Sequence, residues 1–418
     1  MIIEFSVKNY RSIKDLQTLS MVAAPIKSKY PELDVNNVIK VSDKLSLLKS
    51  VAIYGANGSG KSNLVKAAQS MLIFIRDSFK NEKIGKQIIE PFALNIETPN
   101  QSTFFQLIFI LDNVRYRYGF EVFQNEVKSE WLFGTPEKSE IHYFKRESSS
   151  IKINEIKFSE GKGLQSKTSD TNLFLNVVKA FNGKLSKQIF EYLTENIAVS
   201  IGVNDLYFRN ATIPIMQNEY PKKRMLSLLN LADVGIQDVI YKKIPSELIH
   251  TVDGFYFTPE EETISSVRKF YNNDEEEALS CIWNIEKNES DGTQKFFNYS
   301  GVIINVLGNG GTLVLDEFDA RLHPMLTKKI VEMFNSPTIN KNGAQLVFVT
   351  HDTNLLDNSL LRRDQIYFTE KNKMQETVLY SLADFKGVRN DASYEKDYIN
   401  GKYGAIPFLG NFEKLFES

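Results

Sequence analysis

The run Gly55-Ala56-Asn57-Gly58-Ser59-Gly60-Lys61-Ser62 decides the fold. It fits G-x-x-x-x-G-K-[ST], in which glycines let successive backbone N–H groups turn inward as a nest for phosphate oxygens. The residues before it, 47–54, are an apolar run that reads as a buried strand. Those after it, 63–74, place Leu64, Ala67, Ala68, Met71 and Leu72 at helical spacing. Strand, glycine loop, helix is the context this motif requires, because the positive end of the helix adds to the nest. Gly55, Asn57, Gly58, Gly60 and Asn63 are therefore candidate phosphate-cradle residues. Lys61 is the candidate to reach the β and γ phosphates, and Ser62 the candidate Mg²⁺ ligand.

Three further elements follow in order. Thr312-Leu313-Val314-Leu315-Asp316-Glu317 is an apolar strand that ends in two carboxylates. Beside a phosphate loop, Asp316 is placed to hold Mg²⁺ with Ser62, and Glu317 to orient or deprotonate an attacking water. Upstream, Ser290-Asp291-Gly292 opens a helix over residues 293–306. A hydroxyl, a bare backbone and a helix N terminus suit an anion, although Ser and Asp there also make an ordinary N-cap. Downstream, the buried strand 346–349 runs into His351, at the sheet edge where α/β proteins bind ligands. A helix over 325–334 lies between these strands. Short apolar strands alternating with helices predict a parallel sheet with right-handed crossovers.

Other stretches set the organisation. Residues 2–7 alternate as a strand. Residues 104–111 and 114–122 form a hairpin across Asp112-Asn113, and 126–133 with 141–146 extend it as a meander. From 172 to 231 the spacing is helical without sustained heptads, so a helical insertion is expected and a long coiled-coil arm is not. The acidic run 272–277 reads as a solvated loop or helix start. The expected division is an N-terminal lobe at 1–160, a helical insertion at 161–240 and a C-terminal lobe at 241–418.

Composition restricts the chemistry. The 418 residues carry 50 Lys and Arg against 52 Asp and Glu, a net charge of −2, so there is no global excess of cations for a phosphate backbone. The basic trio Lys222-Lys223-Arg224 is a candidate nucleic-acid contact or a solvated face. A single cysteine, Cys281, excludes a disulfide framework and a Cys-based zinc site. The N terminus lacks the apolar stretch of a signal peptide, and no run is long enough to span a membrane. The expectation is a cytoplasmic protein with no membrane partner.

The order phosphate loop, Ser-x-Gly-Thr-Gln, Asp-Glu, His resembles the ABC-type ATPase heads of the SMC, RecF and OLD families. Phe5-Ser6-Val7-Lys8-Asn9-Tyr10-Arg11-Ser12-Ile13 looks like the first strand of that group. The segments 363–368 and 403–407 resemble stand-alone AAA-family ATPases of bacterial anti-phage and abortive-infection operons, of the RloA and AriA kind. The resemblance implies an α/β P-loop NTPase fold with an ABC-type head: a mixed-sheet core, an antiparallel β-meander and a helical insertion. It implies ATP and Mg²⁺, with catalysis by Glu317, His351 and Lys61. It also implies an ATP-dependent homodimer or higher oligomer, paired head to head, in which Ser290 and Gly292 touch the partner protomer's γ-phosphate, Asp319 and Leu322-His323-Pro324 lying in the dimer-contacting loop. A separate effector protein is the implied partner. A RecF-like DNA-repair role is the alternative. Glu289 stands where transporter ATPases carry leucine, and Gln87 and Gln106 are the candidates for the Q-loop glutamine.

Overall fold

The apolar run before the glycine loop becomes the strand Ser50–Gly55, buried at every residue. It lies within a six-stranded sheet whose order is Ile197–Ser200, Thr312–Leu315, Gln345–Val349, Ser50–Gly55, Ile366–Lys371 and Thr377–Ser381. The first five strands are parallel and the last is antiparallel. Parallel strands are covered on both faces, which is why these segments read as unbroken apolar runs. Their alignment puts Gly55, Asp316 and His351 beyond the C-terminal ends of neighbouring strands, where an open α/β sheet places its ligands. The computed structural model describes residues 1–202, 206–232, 234–245, 248–251, 254–257, 261–273, 277–389 and 391–407.

A second, seven-stranded antiparallel sheet runs Ser150–Ile153, Ile141–Glu147, Glu126–Thr135, Val114–Phe123, Thr103–Leu111, Ile2–Lys8 and Gln17–Ser20. The helix Lys61–Asp77 joins the two layers. Its Leu64, Val65, Met71 and Phe74 share one core with Ile53, Val314 and Val347 of the parallel sheet and with Phe5, Phe105 and Phe109 of the meander. Phe74 stacks on Phe120 with ring centroids 5.2 Å apart. Each such buried ring or branched side chain contributes about 1.5–3 kcal/mol, so this helix is held from both sides.

The chain divides into two compact units. One holds Met1–Gly202, Asn309–Phe318 and Lys328–Ser418, the other Val203–Gly308 and Asp319–Thr327. The second unit has the helices Leu206–Met216 and Glu219–Leu231 and an antiparallel sheet ordered Asp238–Ile244, Glu261–Tyr271, Glu277–Asn284. Its helix Asp291–Asn309 packs closely on Leu206–Met216: a Cβ at Gly301 would lie 2.5 Å from the Thr212 hydroxyl oxygen. The Thr212 hydroxyl also donates to the Asn298 carbonyl at 2.9 Å.

This division differs from boundaries at 160 and 240. The helices Phe174–Ala180 and Lys184–Glu195 belong to the first unit because Phe174, Leu175, Val178, Ile189 and Leu193 enter its core. The stretch 172–231 is not wholly helical either. Ile197–Ser200 is a strand whose partner, Thr312–Leu315, is over a hundred residues away in sequence. Four residues of an edge strand carry no period of their own. The inserted unit carries strands as well as helices, and the strands begin at Asp238, before the expected border at 241. The acidic run 272–277 joins two strands of that sheet; its residues 274–276 lie outside the described residues.

Candidate functional site

Three glycines of the loop are required by geometry. Gly58 has φ +78° and Gly60 φ +106°, both left-handed. A Cβ at Gly60 would lie 2.0 Å from the Thr377 hydroxyl oxygen, and one at Gly55 would lie 2.4 Å from the Thr369 carbonyl. Gly60 precedes the first turn of Lys61–Asp77 without a side chain, leaving that turn's backbone N–H groups uncovered by a cap. Lys61 is buried, and its ammonium donates to the carbonyls of Gly55 at 2.7 Å and Ala56 at 3.0 Å. The cation is thus held across the mouth of the nest.

A chain of side chains supports the loop from beneath. The Asn63 amide donates to the Ser12 hydroxyl at 2.7 Å. Ser12 and Thr377 hydroxyls are 2.8 Å apart, and Thr377 donates to the Ser59 carbonyl at 2.9 Å. The Ser59 and Thr369 hydroxyls meet at 2.7 Å. Lys14 pairs with Glu376 at 2.7 Å, which holds that carboxyl below its usual range and pins the two segments together. Of this set, Lys14, Thr369, Thr377 and Glu376 belong to none of the sequence motifs. Ser12 appears only as part of the first-strand motif. No contiguous pattern marks such residues, because they come from separate segments.

Ser62 and Asp316 lie within hydrogen-bond distance of each other. The Ser62 hydroxyl donates to Asp316 Oδ1 at 3.1 Å, and the Glu317 N–H reaches the same oxygen at 3.1 Å. Asp316 is buried, with its own N–H on the Ser200 carbonyl at 3.1 Å. Glu317 takes a left-handed φ of +47°, uncommon for a residue with a Cβ, and its side chain is exposed. The Phe318 N–H on the Val349 carbonyl, 3.0 Å, locks the chain just beyond it. His351 is exposed and shares a cavity of about 480 Å³ with Gly55, Ala56, Asn57 and Ser59. The far wall of that cavity is Tyr398, Ile406 and Pro407 from the C-terminal segment.

In the second unit Ser290 is exposed at the start of the helix Asp291–Asn309. Its hydroxyl accepts the Thr293 N–H at 3.2 Å, so the N-cap geometry is present. Gly292 is forced by close approach, since a Cβ there would sit 2.7 Å from the Arg321 carbonyl. Lys295 donates to the Ala320 carbonyl at 2.8 Å, and Arg321 pairs with Asp291 at 3.4 Å. The turn carrying Asp319 is thereby bound to the helix that carries Gly292. Glu289 accepts the Ser266 hydroxyl at 2.6 Å and two guanidinium N–H bonds from Arg268 at 2.8 and 2.6 Å. Burial works against its ionisation, but the bonds from Arg268 and Ser266 outweigh it and hold the carboxyl below its usual range. The residue that stands in place of leucine is an ionic anchor to the strand Glu261–Tyr271.

Several candidates fall elsewhere. Gln87 is exposed on Ile84–Ile88, and Gln106 accepts the Trp131 indole at 3.2 Å within the meander. Among the described residues neither side chain bonds to residues 55–62 or 316–317. In the basic trio, Lys222 pairs with Asp238 at 2.7 Å and Arg224 lies 4.6 Å over the Tyr220 ring, so two of its three cations are engaged within the unit. His323 Nδ1 accepts the Met325 N–H at 3.2 Å, beside the start of Pro324–Asn335. Cys281 is partly buried on Glu277–Asn284. No helix of the described residues is long and apolar enough to cross a membrane.

The solved structures similar to this chain include an SMC head bound to the C-winged-helix domain of ScpA, with 12% identity, 91% of this chain and 97% of that one covered, and a TM-score of 0.44. The SMC head domain of Thermotoga maritima has 11% identity, coverage of 91% and 98%, and a TM-score of 0.43. An SMC head with coiled coil and joint from Pyrococcus yayanosii has 9% identity, coverage of 96% and 99%, and a TM-score of 0.43. No curated protein matches the chain. A family profile described as "AAA domain, putative AbiEii toxin, Type IV TA system" matches residues 50–357, from the phosphate-loop strand past His351. The chain belongs to this AAA-domain family.

Proposed function

We propose that the chain is an ATPase that binds ATP and Mg²⁺ at the loop 55–62 and hydrolyses the γ-phosphate bond. The observation that carries this reading is the Ser62 hydroxyl 3.1 Å from Asp316 Oδ1, at the mouth of a glycine nest no larger residue fits. A hydroxyl and a carboxylate are hard oxygen donors of the kind Mg²⁺ takes in phosphate sites. The donor set therefore fits the ion, which when bound neutralises charge on the phosphate oxygens. Lys61 supplies a second positive charge beside the Gly55 and Ala56 carbonyls. The Glu317 backbone turns left-handed after Asp316, which separates the two carboxylates: Asp316 stays buried and Glu317 is exposed. Glu317 orients an attacking water and accepts its proton. His351 donates a hydrogen bond to the transferred phosphoryl group.

The ATP-bound form pairs head to head, each γ-phosphate contacting Ser290 and Gly292 of the other protomer, so that nucleotide favours the closed dimer and hydrolysis releases it. The exposure of Ser290 at a helix N terminus supports this assignment. The family description names a putative toxin and a Type IV TA system; the regulatory role in bacterial anti-phage defence beside a separate effector rests on the resemblance of the segments 363–368 and 403–407. The test is Glu317→Gln. It should bind ATP while turnover falls about 10²–10⁴-fold, the range for loss of a general base, and light scattering should show dimer accumulating with ATP. Unchanged turnover would remove Glu317 from the mechanism, and an ATP-independent mass would remove the head-to-head pairing.

A further inference from the structure

The segment 403–407 was singled out by sequence, yet the ATPase reading uses it only as a cavity wall. Its start builds a second hollow of about 390 Å³ within the first unit, lined by Glu370, Tyr380, Asp384, Phe385, Tyr403 and Gly404. Three rings form its walls. Phe385 stands between the other two, 5.7 Å from Tyr380 at 57° and 5.5 Å from Tyr403 at 66°. Tyr403 is buried, with Phe368 stacked on it at 5.8 Å and the Lys402 ammonium 6.0 Å over its ring, so the partly exposed Phe385 and Tyr380 are the rings that can offer a face to a ligand. The wall is tied together by the one Tyr380 hydroxyl proton, which the Tyr403 carbonyl at 2.8 Å and Glu370 Oε2 at 3.1 Å share as acceptors. A Cβ at position 404 would lie 2.7 Å from the same Glu370 oxygen, and Gly404 and Ala405 are both left-handed, with φ +67° and +57°. Two consecutive left-handed residues, one of them alanine, mark strain the surroundings must hold.

Two carboxylates belong to this hollow, and among the described residues neither is in an ion pair. Three other acids in the same part of the chain are paired: Asp364 with Arg362 at 2.8 Å, Glu376 with Lys14 at 2.7 Å, Asp397 with Lys402 at 2.8 Å. Among the described residues no lysine or arginine pairs with Glu370 or Asp384. Glu370 is half-buried, and Asp384 is exposed with one oxygen on the Ser381 N–H at 2.9 Å. Ring faces together with unpaired carboxylates are the chemistry that recognises a delocalised planar cation, through stacking and charge-assisted hydrogen bonds.

We propose that this hollow receives an arginine side chain of a partner protein. It adjoins the cavity of the phosphate loop, since Glu370 lines both. Glu370 follows Thr369, whose hydroxyl meets Ser59 at 2.7 Å and whose carbonyl presses on Gly55. A guanidinium that draws Glu370 and the strand Ile366–Lys371 outward shifts the contact that shapes Gly55. The effect on nucleotide rests on the ATPase reading; the binding itself does not, and the two are measured separately.

The probe is N-acetyl-L-arginine amide, titrated into the full chain by saturation-transfer difference NMR, with N-acetyl-L-citrulline amide as the neutral analogue of the same shape. The arginine probe should bind at least about tenfold more tightly than the citrulline one, each tenfold being 1.4 kcal/mol. Asp384→Asn and, separately, Phe385→Ala should each weaken it by about three- to tenfold, and Lys61→Ala should leave it unchanged. Asp384 is exposed, so its variant keeps the test open if Phe385→Ala unfolds. Equal binding of the two probes, or undiminished binding to Asp384→Asn, would overturn the proposal. If the probe binds in this pattern while no nucleotide binding is found, the cage stands and the ATPase reading fails.

Discussion

Replacing Glu289 by leucine tests whether the anchor behind Ser290 holds the helix start in place. The substitution removes three short bonds to one carboxylate and leaves the Arg268 guanidinium and the buried Ser266 hydroxyl without it. Breaking a fully buried ion pair costs about 3–5 kcal/mol. The Arg268 side chain is 22% exposed and the Glu289 side chain 3%, so water recovers part of the guanidinium's loss. Orphaning Ser266 adds about 1 kcal/mol or more. The expected cost is about 3 kcal/mol, and the double variant R268M/E289L should recover at least half of it, since no lone charge remains. Trp283 reports this locally because Arg268 lies 5.3 Å over its ring. The chain has two tryptophans, so urea unfolding by fluorescence in a Trp131→Phe background follows this unit alone. Additive costs in R268M, E289L and the double variant would refute the anchor, since independent residues show no coupling. The depressed Glu289 pKa sets the pH dependence. A carboxyl lowered by folding stabilises fully above its unfolded value of about 4.5 and loses that contribution as pH falls through the lower folded value. The advantage of the native chain over R268M/E289L should therefore be flat from pH 7 to 5 and shrink below about 4.5.

Other variants probe the site more directly. Lys61→Ala should lose ATP binding by isothermal titration; tight binding retained would displace this lysine from the phosphates. Gly60→Ala puts a Cβ 2.0 Å from the Thr377 hydroxyl oxygen at φ +106°, and should cost about 1–3 kcal/mol in unfolding together with most nucleotide affinity. A variant as stable as the parent would mean the loop relaxes freely. Ser290→Arg should leave ATP binding near the parent value while abolishing turnover and the ATP-dependent mass increase; turnover at the parent rate would show that each site works without its neighbour.

The phosphate loop, the Asp316-Glu317 pair and the helix after Gly292 were legible because each is a short contiguous run whose chemistry and local structure coincide. A glycine at φ +106° and a carboxylate at a strand end are local demands, and local demands leave local patterns. The support beneath the loop was not legible. Ser12, Ser59, Thr369 and Thr377 are small hydroxyl residues from four segments that become neighbours only when Thr369 of Ile366–Lys371 aligns with Gly55. The strand Ile197–Ser200 hid for the same reason: its edge position beside Thr312–Leu315 is a long-range pairing, and nothing in four residues announces it.

Glu289 shows what a departure from a family pattern conveys once the fold is known. An apolar residue before Ser290 would be held by non-directional packing that tolerates sliding against its neighbours. A carboxylate held by two guanidinium bonds and a hydroxyl is fixed in direction, and its partners Ser266 and Arg268 lie on the central strand of the inserted sheet. Any displacement of that strand is therefore delivered to Ser290 without slack. On the ATPase reading, the inserted sheet is the element through which a bound partner would raise or lower the affinity of the two heads for each other. Cutting the ionic link in R268M/E289L while keeping the fold should uncouple partner binding from ATP-dependent pairing, with each retained on its own.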